Sequence, residues 1–199
     1  MVNWKTLIEA KTESSRLLRE DDDLYDPPQL HDPATEEQIA GAEERLGTRL
    51  PGQYRELLGV TNGWTNHTDS HSLLDTEKLG DGVWVPGNSV FLEDGTRPNP
   101  ELFTWLWRID IRDAYWECGP YQRPKGGLGD WRYLYPISFN DGAIDTLYAV
   151  AQRPGESEPT ERLFDTHGAD NLMFPTLVHY LEWCTTGDYE YREYLAKQD

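Results

Sequence analysis

Apolar side chains at helical spacing open the chain. Trp4, Leu7, Ile8 and Leu18 share one stripe with Ser15, and Asn3 stands where a cap is needed, which predicts a docked helix over residues 3–19. An acidic, proline-punctuated stretch follows, Glu20, Asp21, Asp22, Asp23, Asp26, Pro27, Pro28, Asp32 and Pro33, and its composition predicts a surface loop. The helical period returns at Thr35. Thr35 and Gln38 have capping-box spacing, Ile39, Ala42 and Leu46 recur three and four apart, and Glu36, Glu37, Glu43 and Glu44 take the opposite face or the acid-tolerant first turn. Gly47 suits the left-handed end of this helix. Pro51 suits the first turn of a second helix that turns Tyr54, Leu57 and Leu58 inward, and Asn62-Gly63 stops it.

Beyond Trp64 the periodicity weakens, and the chain reads as irregular up to about Gly95. Val83-Trp84-Val85 and Ser89-Val90-Phe91-Leu92 are short candidate strands there, separated by Pro86-Gly87. Asn99-Pro100 has the form of a helix start, while Trp105, Trp107, Ile109 and Ile111 alternate as in a strand; the reading is a helix ahead of Ile109 and extended chain after it. The Gly- and Pro-rich residues 119–130 read as a loop. From Tyr133 a strand, an Asp141-Gly142 turn and a second strand follow, Leu147 and Ala149 facing opposite to Tyr148 and Val150. Arg162-Leu163-Phe164 is a further strand. Phe174-Pro175 opens a helix with Leu177, Val178, Leu181 and Cys184 on one stripe, ending near Gly187.

Residues 35–64 carry the pattern LG-x-x-LP-x-x-Y-x-x-LL-x-x-x-NG, built from Leu46, Gly47, Leu50, Pro51, Tyr54, Leu57, Leu58, Asn62 and Gly63, with Glu43 and Trp64 at its ends. Each signal is ordinary in a helical hairpin; the joint spacing resembles the SUKH superfamily, which takes part of its name from yeast cell-wall regulators. The resemblance is close over residues 35–64 and looser over 134–184. It implies an α+β fold, N-terminal helices packed on a mainly antiparallel sheet with a closing C-terminal helix. The whole chain then forms one domain, with a core of about residues 30–187 extended by the helix 3–19 and a tail 188–199. It also implies function, since the bacterial members are mostly immunity proteins of secreted-toxin systems.

Composition adds limits. At 199 residues the chain can bury roughly 70% of the surface its unfolded form exposes. Eight Trp, eleven Tyr and 37% hydrophobic residues exclude wholesale disorder despite a mean hydropathy of −0.74. Cys118 and Cys184 have no metal-ligand spacing and read as reduced packing residues, which favours a cytoplasmic protein. No signal-peptide core or membrane-length apolar run is present. The net charge of −18, from 36 acidic and 18 basic residues, disfavours direct nucleic-acid binding and favours a basic protein partner, whose approach it would accelerate. The same charge also serves solubility.

Motifs for chemistry fail one by one. His67 and His71 are four apart, as helical metal ligands can be, but they sit among Asn, Thr, Ser and Asp without the zincin glutamate, so a solvated loop is expected. The acidic connector lacks the EF-hand glycine and spacing. Asp165, His167 and Asp170 read as a strand exit and turn, because the chain contains no G-x-S-x-G elbow. Gly126-Gly127-Leu128-Gly129-Asp130 completes no phosphate-binding pattern. No catalytic residue, cofactor or metal is therefore assigned. The leading reading is a non-enzymatic immunity protein that occludes a basic toxin domain, a nuclease. A scaffold adaptor and an acidic-residue hydrolase with a Trp-lined cleft stand behind it. Candidate partner contacts are Trp64, Asp69, Asp75, Glu93, Asp94, Trp105 and Trp107, in or beside the unmatched segment.

Overall fold

Helix α1 (Trp4–Asp21) forms where the first stripe predicted it, with Asn3 Oδ1 accepting from the Thr6 N–H at 3.4 Å. This is a computed structural model, describing residues 2–21, 26–68, 71–80, 108–110, 115–116, 131–140, 146–152, 155–167 and 170–197. The strands expected over 83–85 and 89–92, the helix ahead of Ile109, the loop 119–130 and the Asp141-Gly142 turn lie outside these residues, as does Cys118.

The connector contributes a short, exposed edge strand, β1 (Gln29–Leu30). Helix α2 (Glu36–Leu46) then begins with a complete capping box: Thr35 Oγ1 accepts from the Gln38 N–H, and Gln38 Oε1 accepts from the Thr35 N–H at 2.8 Å. Gly47 ends it in the left-handed conformation, φ 66°. Helix α3 (Gly52–Leu58) starts one residue after Pro51, which is its cap rather than its first turn. Two carboxylates satisfy its approach and start: Glu43 Oε1 accepts from the Leu50 N–H at 3.0 Å, and Glu161 accepts from the Gly52 and Gln53 N–H groups at 2.7 and 3.0 Å. Tyr54 projects inward and donates its hydroxyl to the Leu74 carbonyl at 2.7 Å, fastening the hairpin to the sheets.

The remaining described strands are β2 (Trp64–Thr68), β3 (His71–Leu73), β4 (Arg108–Asp110), β5 (Tyr115–Trp116), β6 (Trp131–Pro136), β7 (Ser138–Asn140), β8 (Thr146–Val150), β9 (Leu163–His167) and β10 (Asp170–Phe174). One sheet has the order β1-β2-β3-β7 and the other β4-β6-β8-β9-β10-β5. All described pairings are antiparallel except β10 with β5, so the mainly antiparallel α+β expectation is met. Ile137 joins the sheets: its carbonyl accepts from the Leu74 N–H at 2.9 Å and its own N–H donates to Leu147 at 2.8 Å. Every residue of β8 is buried. Leu147 and Ala149 enter the main core with α2 and α3, while Tyr148 and Val150 pack on the other face with Leu134, Phe164 and Met173.

Two expectations are corrected. Residues 65–73 contain strands rather than irregular chain, and His67 and His71 are buried, not solvated. The turn-forming character is taken up locally: Asn66 adopts φ 51° within a register shift between Trp64 and Thr68, while Trp64 still pairs with Leu73 and Thr68 with His71. The last helix, α4 (Leu177–Leu195), is capped by Thr176 and runs straight through Gly187. An interior glycine costs only about 1 kcal/mol relative to alanine. The next residue, Asp188, anchors this stretch to α1 and offsets that cost.

Candidate functional site

Lys11, Ser14 and Ser15 lie three and four apart on α1 and so share one face, against which α4 places Asp188. All three donate to the same oxygen, Asp188 Oδ2: Lys11 Nζ at 2.6 Å, Ser14 Oγ at 2.6 Å and Ser15 Oγ at 3.2 Å. Lys11 also donates to Ser15 Oγ at 2.7 Å. Lys11 is fully buried at 0% exposure and Asp188 nearly so at 5%. Burial of such a pair is costly unless the remaining hydrogen-bonding capacity is met, so the serines matter as much as the charges. A pair of this kind fixes which face of α1 meets α4.

The sheet continues the polar layer inward. Ser15 Oγ also lies 3.4 Å from the His67 carbonyl oxygen, an alternative acceptor for its single proton, and His67 Nε2 lies 3.1 Å from the Tyr180 hydroxyl. The His67 and His71 rings stand 6.4 Å apart between centroids, nearly edge to face. Burial, reinforced by His71 and Lys11, holds the His67 imidazole well below the usual histidine range, so it is neutral at pH 7.

Beside this layer a cleft of ≈350 Å³ opens, with Leu18, Thr68, His71 and Asp165 on its walls, Tyr180, Trp183 and Tyr191 as its aromatic lining, and Cys184, Gly187 and Asp188 completing it. Burial pushes the Cys184 thiol up to about 12, leaving it protonated and unreactive at neutral pH. Among the described residues no group of three or more His, Cys, Asp or Glu side chains is placed to hold a metal ion. No described helix is long and apolar enough to cross a membrane.

Of the residues anticipated as partner contacts, Trp64 is corrected: it is 0% exposed and belongs to the main core, with no surface to offer. It opens β2 and pairs with Leu73, another core residue. Asp75 is partly exposed, but its carboxylate is engaged at home by the Glu77 and Lys78 N–H groups at 3.0 and 2.9 Å and by Lys78 Nζ at 2.8 Å. Burial works to raise this carboxyl, and the Lys78 and Glu77 contacts outweigh it and hold it below the usual carboxylate range. Asp69, Glu93, Asp94, Trp105 and Trp107 lie outside the described residues. Asp165, expected at a strand exit, is buried within β9, whose partner β10 carries Asp170. Lys11 and Asp188 were not anticipated, although a lysine in register with Leu7, Ile8 and Leu18 on an apolar stripe is a usable signal for a buried partner of opposite charge.

Residues 33–183 match the SMI1/KNR4 family (SUKH-1). No curated protein matches the chain. Of the residues that line the cleft, Thr68, His71, Asp165, Tyr180 and Trp183 lie within the match, and Leu18, Cys184, Gly187, Asp188 and Tyr191 fall outside it.

Proposed function

Because this chain belongs to the SMI1/KNR4 family (SUKH-1), we propose that it is an immunity protein that binds a cognate secreted toxin and neutralises it by occlusion, without chemistry of its own. The family match over residues 33–183 carries the reading, since the family consists generally of non-catalytic immunity proteins. The charge of −18 supports a basic partner such as a nuclease domain, which it would attract while repelling that partner's polyanionic substrate. Such a protein acts in the cytoplasm of the cell it protects.

The test is coexpression with a candidate toxin domain taken from the neighbouring genes. Protection of the host, a stoichiometric complex and association that slows as salt rises are expected. A host that dies as fast with the chain as without it, and a toxin that elutes alone, would sink the proposal.

A further inference from the structure

We propose that Tyr189, Tyr191 and Tyr194, at the end of α4, form the surface on which a basic protein partner docks. That this partner is the toxin rests on the immunity reading; the place where it is held is read from the helix itself.

The two helices of the seam carry matching stripes. Spacings of four and three alternate along α1 through Trp4, Ile8, Lys11, Ser15 and Leu18, and along α4 through Leu177, Leu181, Cys184, Asp188, Tyr191 and Leu195. All the α1 residues of this set are buried, as are the first four of α4. The stripe of α4 then outruns its cover. Leu18 is the last of the α1 set before that helix ends at Asp21, and Tyr191, which lines the cleft together with Leu18, is 45% exposed. Tyr194 stacks on Tyr191, centroids 6.2 Å apart with 19° between planes, and is 55% exposed; Tyr189 is 43% exposed. Three of the five large hydrophobics exposed among the described residues therefore fall between Tyr189 and Tyr194, the others being Leu30 and Val60. Single exposed apolar residues are ordinary, whereas a concentration on adjacent helical turns marks an interaction site.

The chemistry around the rings selects the occupant. Each tyrosine offers a broad apolar face and a hydroxyl, the combination enriched where one protein grips another. Glu182 and Glu190 are exposed and enter no ion pair among the described residues. Glu193 reaches Lys197 only at 3.9 Å, with the two side chains 77% and 74% exposed, a pairing of little strength. Glu190 stands four residues before Tyr194 and Glu193 four after Tyr189, so carboxylates and rings are neighbours on the helix surface. A second copy of this chain, an anionic membrane or a nucleic acid would bring like charge against a molecule of net charge −18. A protein surface with Lys and Arg around an apolar centre complements both the rings and the carboxylates. The family match ends at residue 183, so the patch lies beyond the shared scaffold, where a contact peculiar to one partner belongs.

The test uses the full chain and a candidate toxin domain taken from the neighbouring genes, with association and dissociation rates followed by surface plasmon resonance. Glutamine is a good helix former, so Tyr189→Gln, Tyr191→Gln and Tyr194→Gln combined should leave the helical circular dichroism and the urea midpoint close to wild type. This triple variant should bind at least about a hundredfold more weakly, chiefly through faster dissociation, and Tyr194→Gln alone at least about fivefold more weakly. If the triple variant loses its helical signal, the three single variants decide. Glu182→Gln, Glu190→Gln and Glu193→Gln combined should instead slow association at low salt. Leu30→Gln and Val60→Gln, at the exposed apolar positions elsewhere, should bind as the wild type does. Wild-type affinity in the folded tyrosine variants, or an equal loss at Leu30→Gln or Val60→Gln, would overturn the docking surface and leave immunity standing. A wild-type chain that binds none of the candidate domains counts against immunity, and the assignment of the patch to a toxin falls with it.

Discussion

The α2–α3 hairpin and the α1–α4 seam are both helix pairs, yet they are held by opposite means. In the hairpin, Ile39, Ala42, Tyr54, Leu57 and Leu58 are at most 1% exposed, and the polar interactions lie at caps and edges. In the seam, a lysine, two serines and an aspartate are buried between the helices, and the groups that meet are 173 to 177 residues apart. A hairpin of the first kind sets a fold, because any apolar pair of the right size serves. A seam of the second kind sets one particular docking, because a buried charge tolerates only its own partner. The hairpin and the seam are thus held by separate sets of interactions, which meet through β2 and Tyr180.

The comparison is broken most forcefully at Asp188. Asp188→Ala leaves the Lys11 ammonium buried without its counter-charge, and the expected cost is about 3–5 kcal/mol in urea unfolding. Lys11→Met combined with Asp188→Leu should recover most of that, since the charge and its partner leave together. The hairpin's Arg55–Glu36 pair, on the surface, offers the contrast: Glu36→Ala should cost less than about 1 kcal/mol. If Asp188→Ala were as mild as Glu36→Ala, the seam would not be organised by its ion pair.

Acid should weaken the seam before the hairpin. The folded state holds His67 well below its usual range, chiefly by burial, so below about pH 6.5 the unfolded chain takes a proton that the native chain refuses. Stability from this group is intact above that pH and falls as pH drops towards the depressed native value, at about 1.4 kcal/mol per pH unit. From pH 6.5 to 5 stability therefore falls, by no more than that slope allows. His67→Gln keeps a polar group for Tyr180 and removes the titration, so its unfolding free energy should be flatter across that window by the same amount. Parallel pH profiles for the two proteins would contradict the assignment.

What sequence made legible follows the same division. Capping box, left-handed glycine and apolar spacing are properties of neighbouring residues, so the hairpin is legible in sequence but for the placing of Pro51 as cap; so is the alternation of β8, because Leu147 and Tyr148 face two different cores. The polar layer was not. His67 and His71 sit in a run that favours turns, and only the cover supplied by α1 and α4 makes them interior residues. Trp64 illustrates the converse: beside the motif it reads as available to a partner, and its pairing with Leu73 at the start of β2 carries it into the core. Whether a polar or aromatic residue is surface or interior depends on what packs over it, and for His67 that information lies 52 and 113 residues away.

Glycine gives the finest separation of the two regions. Gly47 ends α2 at φ 66°, with no heavy atom within 4 Å of where a Cβ would stand, so Gly47→Ala meets only backbone strain, about 1–2 kcal/mol of lost stability. Gly187 is also open, with nothing within 4 Å, but it lies inside α4 on the exposed side of the seam and has no positive φ. Its flexibility serves no turn. Gly187→Ala should therefore stabilise the chain by about 0.5–1 kcal/mol. Opposite signs for one substitution, read from paired urea unfolding curves, would show that the hairpin glycine is required by backbone geometry and the seam glycine is not. A loss at Gly187 equal to that at Gly47 would mean that α4 depends on a bend there, and the continuous helix that brings Asp188 to Lys11 would have to be redrawn.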